Sequence, residues 1–232
     1  MKPLSVDMER WSIGFPPWVV PDGTYEDVQR GQRVDFAVEF FPHEIVVSNN
    51  RTKSATLVED WTYYVNAEVI YLTEDAWVLD FGLMAYQSPP GLTMSPLPDG
   101  IIPWSFVAAK LELGVDTYPY FEFLYALPTI PALIYSWRVE QITMWSAPYV
   151  EGVGTRGEPC YVWDRSGIAR QTVDSTSEPN PVRYTPGEWF DTPGGPMRSI
   201  LMSHCLQYIL HCAKIDSPPR RSRSDWSSPG AN

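Results

Sequence analysis

Residues 61–86 read WTYYVNAEVIYLTEDAWVLDFGLMAY, two apolar runs with alternating side chains on either side of a polar triplet at 73–75. Successive side chains of a strand point to opposite faces of a sheet, so a period of two indicates a strand with one buried face. The stretch therefore predicts a β-hairpin that turns at residues 73–75. The buried faces are expected to hold Trp61, Tyr63, Val65, Ala67, Val69 and Tyr71 in the first strand and Trp77, Leu79, Phe81 and Leu83 in the second.

Similar patterns recur along the rest of the chain. Residues 33–41, 106–113 and 134–144 each predict a strand, and residues 160–163 and 168–173 predict a second hairpin. Seven or eight such strands, separated by turn residues, favour an all-β, mainly antiparallel fold with little helix. We expect either a small β-barrel, with the oligonucleotide-binding type as one topology that the pattern permits, or a β-sandwich.

Two segments fit more than one structure. Residues 120–127 are aromatic but lie among three prolines, which favours an edge strand or an extended segment because proline cannot donate a hydrogen bond to a sheet. Residues 197–215 fit both a helix and a strand. For this second segment we expect a turn of helix followed by a closing strand that begins at Leu206.

Length and composition indicate one packed domain. The chain has 232 residues, of which 44% are hydrophobic, and its 23 prolines argue against long helices. We expect a proline-rich and aromatic arm at 1–30 that packs on the domain, a single β domain at 31–215, and a disordered tail at 216–232.

Charge is distributed unevenly along the chain. Residues 1–128 hold 18 Asp and Glu against 7 Lys and Arg, so they account for the net charge of -11. Such a surface repels a polyanion, which makes nucleic acid an unlikely partner, although the second half has room for a local basic patch.

The cysteines and the apolar runs bear on location. Three cysteines, Cys160, Cys205 and Cys212, are an odd number that does not suggest a disulfide framework, so free thiols are predicted. We find no signal-peptide core and no window near the ~20 apolar residues of a membrane span. A cytoplasmic protein without membrane contact is the expectation.

Motifs for cofactors, metals and catalysis are weak. Residues 152–157 match the dinucleotide fingerprint G-x-G-x-x-G, but a strand-like run follows where a helix should open, which favours a glycine loop between strands. The pairs His204-Cys205 and His211-Cys212 lack the close spacing of zinc ligands. We therefore predict no cofactor, no metal site and no catalytic residue, and the sequence leaves the oligomeric state open.

Several carboxylates are candidates for a catalytic role. Asp35 and Glu39 share the outward face of one predicted strand, ~13 Å apart, and are expected to be solvated. Asp80 lies between two apolar residues, so it either faces solvent or is an inward acid with a raised pKa. One hypothesis is therefore an enzyme that acts on a small polar substrate through Asp80 with Glu68 or Asp116.

Aromatic residues interspersed with arginine are candidates for a binding surface. Exposed rings stack on sugars or unstacked bases, and arginine adds a planar charge. The candidate binding residues are Asp80, Trp104, Trp137, Arg138 and Trp163.

The leading hypothesis is a non-enzymatic binding or protein-interaction module for a protein or small-molecule partner. Its contact surface would be the long loop at 88–103 together with the aromatic residues after 133. The alternatives are the enzyme described above and a protein that binds single-stranded nucleic acid.

Overall fold

The computed structural model describes residues 10–88, 99–147, 149–153, 159–163, 165–177, 189–192, 195–198, 205–215 and 217–221. In these ranges helix is limited to α1, Pro119–Glu122, and to 3-10 turns at Pro17–Val19, Leu124–Ala126 and Arg165–Gly167. The strands are β1 Arg10–Phe15, β2 Arg33–Phe36, β3 Val38–Ser48, β4 Ser54–Glu59, β5 Thr62–Leu72, β6 Trp77–Asp80, β7 Met84–Gln87, β8 Phe106–Val115, β9 Tyr135–Ser146, β10 Tyr149–Val153, β11 Pro159–Trp163, β12 Ala169–Val173, β13 Trp189–Thr192, β14 Gly195–Arg198 and β15 Cys205–Lys214. The predicted all-β fold with little helix is confirmed.

Five of these strands close into a small barrel. β8 pairs with β3 on one edge and with β5 on the other, β5 pairs with β6, and β6 pairs with β7, all antiparallel. The ring closes where β7 meets β3 in a parallel contact that sets Glu39 opposite Tyr86. A small, mainly antiparallel barrel, one of the two predicted architectures, is therefore the observed one.

Further strands extend the barrel sheet and lead back to it. β1 joins β8 where Gly14 lies opposite Gly114, and β15, β9 and β2 follow in the sheet. β2 then continues into β3 through Ala37, so the path of strands returns to the barrel. One hydrophobic cluster runs through both parts, and in it Trp11 of β1 packs on Tyr63 of the barrel with ring centroids 5.4 Å apart.

The predicted hairpin at 61–86 is formed by β5 and β6, with its turn where the sequence indicates it. Val69 lies opposite Leu79 as the period of two requires, but Tyr71 lies opposite Val78. Ile70 is the extra residue of a β-bulge between them, and a bulge shifts the alternation by one position. Tyr71 therefore packs in a second, smaller cluster and not in the main core, where the sequence placed it.

The predicted strand at 33–41 is divided into β2 and β3, and two of the three residues on its outward face are covered, while Arg33 is exposed. The side chain of Asp35 is 5% exposed and lies 2.8 Å from Nη2 of Arg220. Glu39 is 7% exposed and lies beside Tyr86 of β7. The expectation that both carboxylates are solvated is wrong, because segments distant in sequence cover them.

The aromatic run at 120–127 forms α1 and the 3-10 turn after it, and not an edge strand. The carboxylate of Asp116 accepts hydrogen bonds from the backbone N–H groups of Tyr120 and Phe121, which stabilises the first turn of the helix. The Tyr120 ring is fully buried in the second cluster. Burial of this ring against the barrel outweighs the extended preference of the proline-rich context.

The predicted hairpin between residues 160–163 and 168–173 does not form. β11 pairs with β10, and β12 pairs with β9. β10 and β11 flank residues 154–158, which lie outside the described residues, so the glycine-rich stretch joins two strands as expected.

Both ends of the chain contribute to the domain. The arm supplies β1, whose Ile13 and Phe15 are fully buried. β15 is the predicted closing strand, whereas the expected turn of helix at 197 falls in the strand β14. Residues 217–221, assigned to the tail, are bound to the domain, since Arg220 pairs with Asp35 and forms a β-bridge with Ile134. Residues 222–232 of the tail lie outside the described residues.

Candidate functional site

An open groove of about 590 Å³ lies along one edge of β9, lined by residues 29–31, 138–140 and 174–175. β15 occupies the other edge of β9. On the groove edge, β2 pairs with residues 135–138 and β12 with residues 142–146, which leaves a gap between the two strands. The groove is formed at this gap.

Backbone hydrogen bonds fix the segment that fills the gap. Gly31 donates to the carbonyl of Val139 at 2.7 Å, and Val139 donates to the carbonyl of Gln32 at 2.9 Å. Gly31 has a φ of 84°, a conformation that favours glycine. Nε of Arg30 donates to the carbonyl of Glu140 at 3.2 Å. These hydrogen bonds to β9 therefore fix the floor of the groove.

Three arginines from three strands lie in one row across this sheet. Arg33 of β2 lies directly opposite Arg138 of β9. On the other side of β9, Ala213 of β15 lies opposite Arg138. Arg10 of β1 lies opposite Ala213 and completes the row. Residues opposite one another share a face, and the short Ala213 separates the arginines without covering them. Arg30 joins them from the groove. We call Arg10, Arg30, Arg33 and Arg138 the arginine cluster.

The arginine cluster carries more positive than negative charge. The side chains of Arg10, Arg30 and Arg138 are 67%, 59% and 63% exposed. Glu140 lies 3.1 Å from Arg10 and 3.5 Å from Arg138, and Asp174 lies 3.8 Å from Arg30.

Asp35 shares the Ser136 hydroxyl with Arg33 and pairs with Arg220. With these two included, five guanidinium groups meet three carboxylates, on a chain whose net charge is -11. The sequence left room for a basic patch in the second half of the chain, whereas three of the four arginines of the cluster come from the acidic first half.

Of the two neighbouring candidates on β9, only Arg138 faces the surface. Trp137 is 0% exposed, stacks on Phe36 with centroids 5.4 Å apart, and donates from Nε1 to the carbonyl of Phe36 at 3.2 Å. Since adjacent strand residues point to opposite faces, burial of Trp137 places Arg138 outward. The candidate Trp137 is therefore a core residue and cannot stack on a ligand. Arg138 is exposed, and its role in binding stays a prediction.

Asp80 belongs to an ion-paired group outside the groove. It lies directly opposite Glu68 on the outer face of the hairpin, and Nζ of Lys53 is 2.7 Å from a carboxylate oxygen of each. Hydrogen bonds to Asp80 and then Glu68 are the main causes that raise the pKa of Lys53. Asp80 is therefore neither freely solvated nor an inward acid, but a partly covered carboxylate paired with lysine.

The other candidate binding residues lie elsewhere. Trp104 is 65% exposed, has a φ of 69°, and donates its backbone N–H to the carbonyl of Val69, at the end of the long loop. Residues 89–98 of that loop lie outside the described residues. Trp163 is in β11, and its side chain also lies outside them. Trp104 is therefore not part of the arginine cluster.

Asp116 and Glu39 are acids enclosed in the core. Asp116 is 1% exposed, and it accepts hydrogen bonds from the Tyr86 hydroxyl and from the first turn of α1. Burial, and then the neighbouring carboxylate of Asp116, raise the pKa of Glu39 to about 8. The sequence points to Asp116 only as a partner of Asp80, but its contacts are with the tyrosine and the helix.

A second group of arginine and aromatic side chains, Arg170 with Trp145, packs against other residues of the protein. The guanidinium carbon of Arg170 lies 4.2 Å from the ring centroid of Trp145, whose other ring contact is Trp61 at 5.1 Å. Arg170 also lies 3.0 Å from a carboxylate oxygen of Asp60. Arginine and acid here partner each other and the rings, so this group does not form an open stacking surface.

The paired His and Cys residues of β15 have structural surroundings. His211 lies between Ser12 at 2.9 Å and Thr143 at 3.0 Å, and burial lowers its pKa. Cys205 and Cys212 are buried and are not joined in a disulfide, as the odd cysteine count suggests. In the described ranges no three His, Cys, Asp or Glu side chains are grouped so that they could hold a metal ion.

Sequence reasoning identified one residue of the arginine cluster and missed three. Arg10, Arg30 and Arg33 are far from Arg138 in sequence, and only the strand register brings them together. A signal that could have found Arg33 is its outward position in the alternating run at 33–41.

The comparisons with known proteins give no further guide. No family model, no curated protein and no solved structure matches the chain. Among the described residues, no helix is long and apolar enough to cross a membrane.

Proposed function

We propose that this protein is a non-enzymatic β-domain that binds an acidic segment of another protein through the arginine cluster and its groove. The observation that carries the proposal is the direct opposition of Arg33 and Arg138 on neighbouring strands. Like charges in directly opposite positions destabilise a sheet. A carboxylate bound between the two guanidinium groups would turn this repulsion into attraction.

The spacing of the cluster fits an extended peptide. Guanidinium groups form paired hydrogen bonds with carboxylates, which gives arginine an advantage over lysine in such sites. Arg10 and Arg33 are three strand spacings apart, ~14 Å, and side chains on one face of an extended segment are ~7 Å apart. A segment with acidic residues at alternate positions therefore matches the row.

The charges around the cluster favour a peptide over nucleic acid. Glu140 and Asp174 line the same groove, and they would repel a continuous phosphate backbone. A peptide can present neutral residues to these two positions.

The enzyme alternative has less support. Asp116, one of the acids that it names, is 1% exposed, and Asp80 and Glu68 are paired with Lys53. None of these three acids lines the groove.

Fluorescence anisotropy tests the proposal. The probes are a labelled peptide of alternating Glu and Ser, the same peptide with Gln for Glu, and a labelled oligothymidine. We expect the Glu peptide to bind, and R33Q and R138Q to weaken it by about fivefold or more, since each removes one charge-assisted pair. R51Q is the control, because Arg51 lies over Phe106 outside the arginine cluster.

Three results would contradict the proposal. One is the absence of Glu-peptide binding at low salt. Another is equal binding of the Glu and Gln peptides, which would show that carboxylates are not recognised. The third is tighter binding of oligothymidine than of peptide, which would support the nucleic-acid alternative.

A further inference from the structure

The segment 217–221 lies against the sheet beside the arginine cluster and carries Arg220 to it. The backbone N–H of Ile134 donates to the carbonyl of Arg220 at 2.9 Å, and the N–H of Arg220 donates to the carbonyl of Ile134 at 2.7 Å. Ile134 directly precedes β9, the strand that carries Arg138. Two backbone hydrogen bonds therefore fix Arg220 at the start of β9.

The side chain of Arg220 compensates the charge of Asp35. Nη2 of Arg220 lies 2.8 Å from Oδ2 of Asp35, whose side chain is 5% exposed. The Ser136 hydroxyl donates to Oδ1 of the same carboxylate at 2.5 Å. An ionised carboxylate that is covered to this extent is costly unless a positive group accompanies it, and Arg220 is that group.

Arg33 of the arginine cluster lies close to the same carboxylate. Arg33 and Asp35 are two residues apart on β2, so their side chains share one face of the sheet. Nη2 of Arg33 donates to the Ser136 hydroxyl at 2.9 Å, and that hydroxyl in turn donates to Asp35. One hydroxyl group therefore joins Arg33 to an acid with which it could pair directly.

We propose that Arg220 is a positioning residue of the arginine cluster, which compensates Asp35 and so keeps Arg33 available for an acidic ligand. The inference rests on the proposed function of the cluster. Without Arg220, Asp35 would be a covered carboxylate without its compensating charge, and Arg33 would pair with it. A partner within the same chain has a high effective concentration, so Asp35 would compete with the carboxylates of a bound peptide.

The exposure of Arg220 favours this role over direct contact with the ligand. Its side chain is 25% exposed, whereas those of Arg10 and Arg138 are 67% and 63% exposed. Nη2 of Arg220 also lies 3.4 Å from Oγ of Ser136, on the same side as Asp35. The guanidinium group is therefore directed to the covered acid.

Fluorescence anisotropy with the labelled peptide of alternating Glu and Ser tests the inference. R220Q should weaken binding by about fivefold or more, because Arg33 then loses its charge-assisted pair with the peptide. D35N/R220Q should bind as wild type does, since no carboxylate is left at position 35 to attract Arg33. D35N alone should bind at least as tightly as wild type.

R221Q is the matched control. It removes the same charge from the same segment, but Arg221 donates to the carbonyl of Leu127 at 2.8 Å and is not paired with Asp35. We expect R221Q to bind as wild type does. Circular dichroism checks that each variant is folded.

Urea unfolding provides a test that needs no ligand. In wild type, R33Q should raise the urea midpoint, because it relieves the repulsion between Arg33 and Arg138. In the R220Q background, Arg33 has become the partner of Asp35, so R33Q should lower the midpoint. A double-mutant cycle measures this coupling between positions 33 and 220, and adding D35N should abolish it.

The two measurements separate this inference from the proposed function. If wild type does not bind the peptide but R33Q changes sign in the R220Q background, the proposed function is overturned and the effect of Arg220 on Arg33 is confirmed. Equal midpoint shifts of R33Q in both backgrounds would overturn the inference. So would failure of D35N to restore the binding lost in R220Q, weaker binding by D35N alone, or a loss in R221Q as large as in R220Q.

Discussion

Arg33 and Arg138 lie directly opposite each other on β2 and β9, and each also contacts an oxygen of the protein. Nη2 of Arg33 is 2.9 Å from Oγ of Ser136, and Nη2 of Arg138 is 3.5 Å from a carboxylate oxygen of Glu140. Ser136 lies two residues before Arg138 on β9 and Glu140 lies two residues after it, so these contacts draw the two guanidinium groups in opposite directions from their shared position. In the proposed complex, a carboxylate would bind between them.

Removing one member of the pair should stabilise the free protein. We expect R33Q to raise the free energy of unfolding in low salt by about 0.2–1 kcal/mol, because directly opposite like charges are destabilising by roughly this amount. The gain should fade near 1 M salt, where the screening length is about 3 Å. Urea unfolding at the two salt concentrations measures it. A loss of stability in R33Q, or a gain that salt does not change, would contradict the prediction.

Glu39 should make the protein less stable at high pH. Its folded pKa of about 8 is above the ordinary value, so its contribution to stability is fully present below pH 4.5 and is lost as the pH rises through 8. The loss between pH 5 and 9 is expected to be about 3–5 kcal/mol from this group. E39Q should match wild type near pH 5 and exceed it near pH 9.

The matched control for Glu39 is Glu44, an exposed acid on the same strand. E44Q should have the same pH dependence of unfolding as wild type. If the stability difference between E39Q and wild type does not change between pH 5 and 9, the pKa of the buried Glu39 carboxyl is not raised as described.

Trp137 and Trp104 should respond differently to the same substitution. W137F leaves the carbonyl of Phe36 without its donor and removes buried ring volume, so we expect a loss of about 2–4 kcal/mol. W104F changes an exposed side chain and should cost less than about 0.5 kcal/mol. Chemical unfolding of both variants checks this. Equal losses would mean that Trp137 is not the core residue that its stacking on Phe36 indicates.

A methyl group at Gly14 would require the neighbouring atoms to move. A Cβ at this position would lie 2.8 Å from Nε2 of Gln207 and 3.3 Å from the carbonyl oxygen of Leu113. G14A is expected to lose about 1–3 kcal/mol, the usual cost of overpacking. The double variant G14A/Q207A should recover part of the stability lost in G14A, because Gln207 makes the closer contact. Strict additivity of the two changes in a double-mutant cycle would argue against the clash.

The sequence predicted the local features well, since a strand with one buried face records its geometry in its own residues. The hairpin at 61–86 follows from its alternation as far as Val69. The bulge at Ile70 leaves no mark in the pattern, so Tyr71 was assigned to the wrong face. Asp35 was placed correctly on its face, but the segment that covers it, at Arg220, comes from the far end of the chain.

The candidate site was harder to predict than the fold. Trp137 and Arg138 are adjacent, so alternation states that they face opposite ways but not which one faces water. The choice depends on the stacking partner Phe36, which lies on another strand. Arg10 and Arg33 reach Arg138 only through the register of three strand pairs, and no spacing within the sequence records that register.

The pairing of β1 with β15 has a consequence for how the chain acquires its structure. Arg10 lies opposite Ala213, so the first described strand can complete its sheet only after residues 205–214 have been synthesised. Contacts between such distant segments close slowly, because a long loop loses its freedom before the contact is gained. Until β15 is made, β1 and β9 both lack a neighbour, and Ile13 and Phe15 lack their covering strand. The five barrel strands are complete by residue 115, which suggests an order of assembly in which the barrel forms first and the arginine row last.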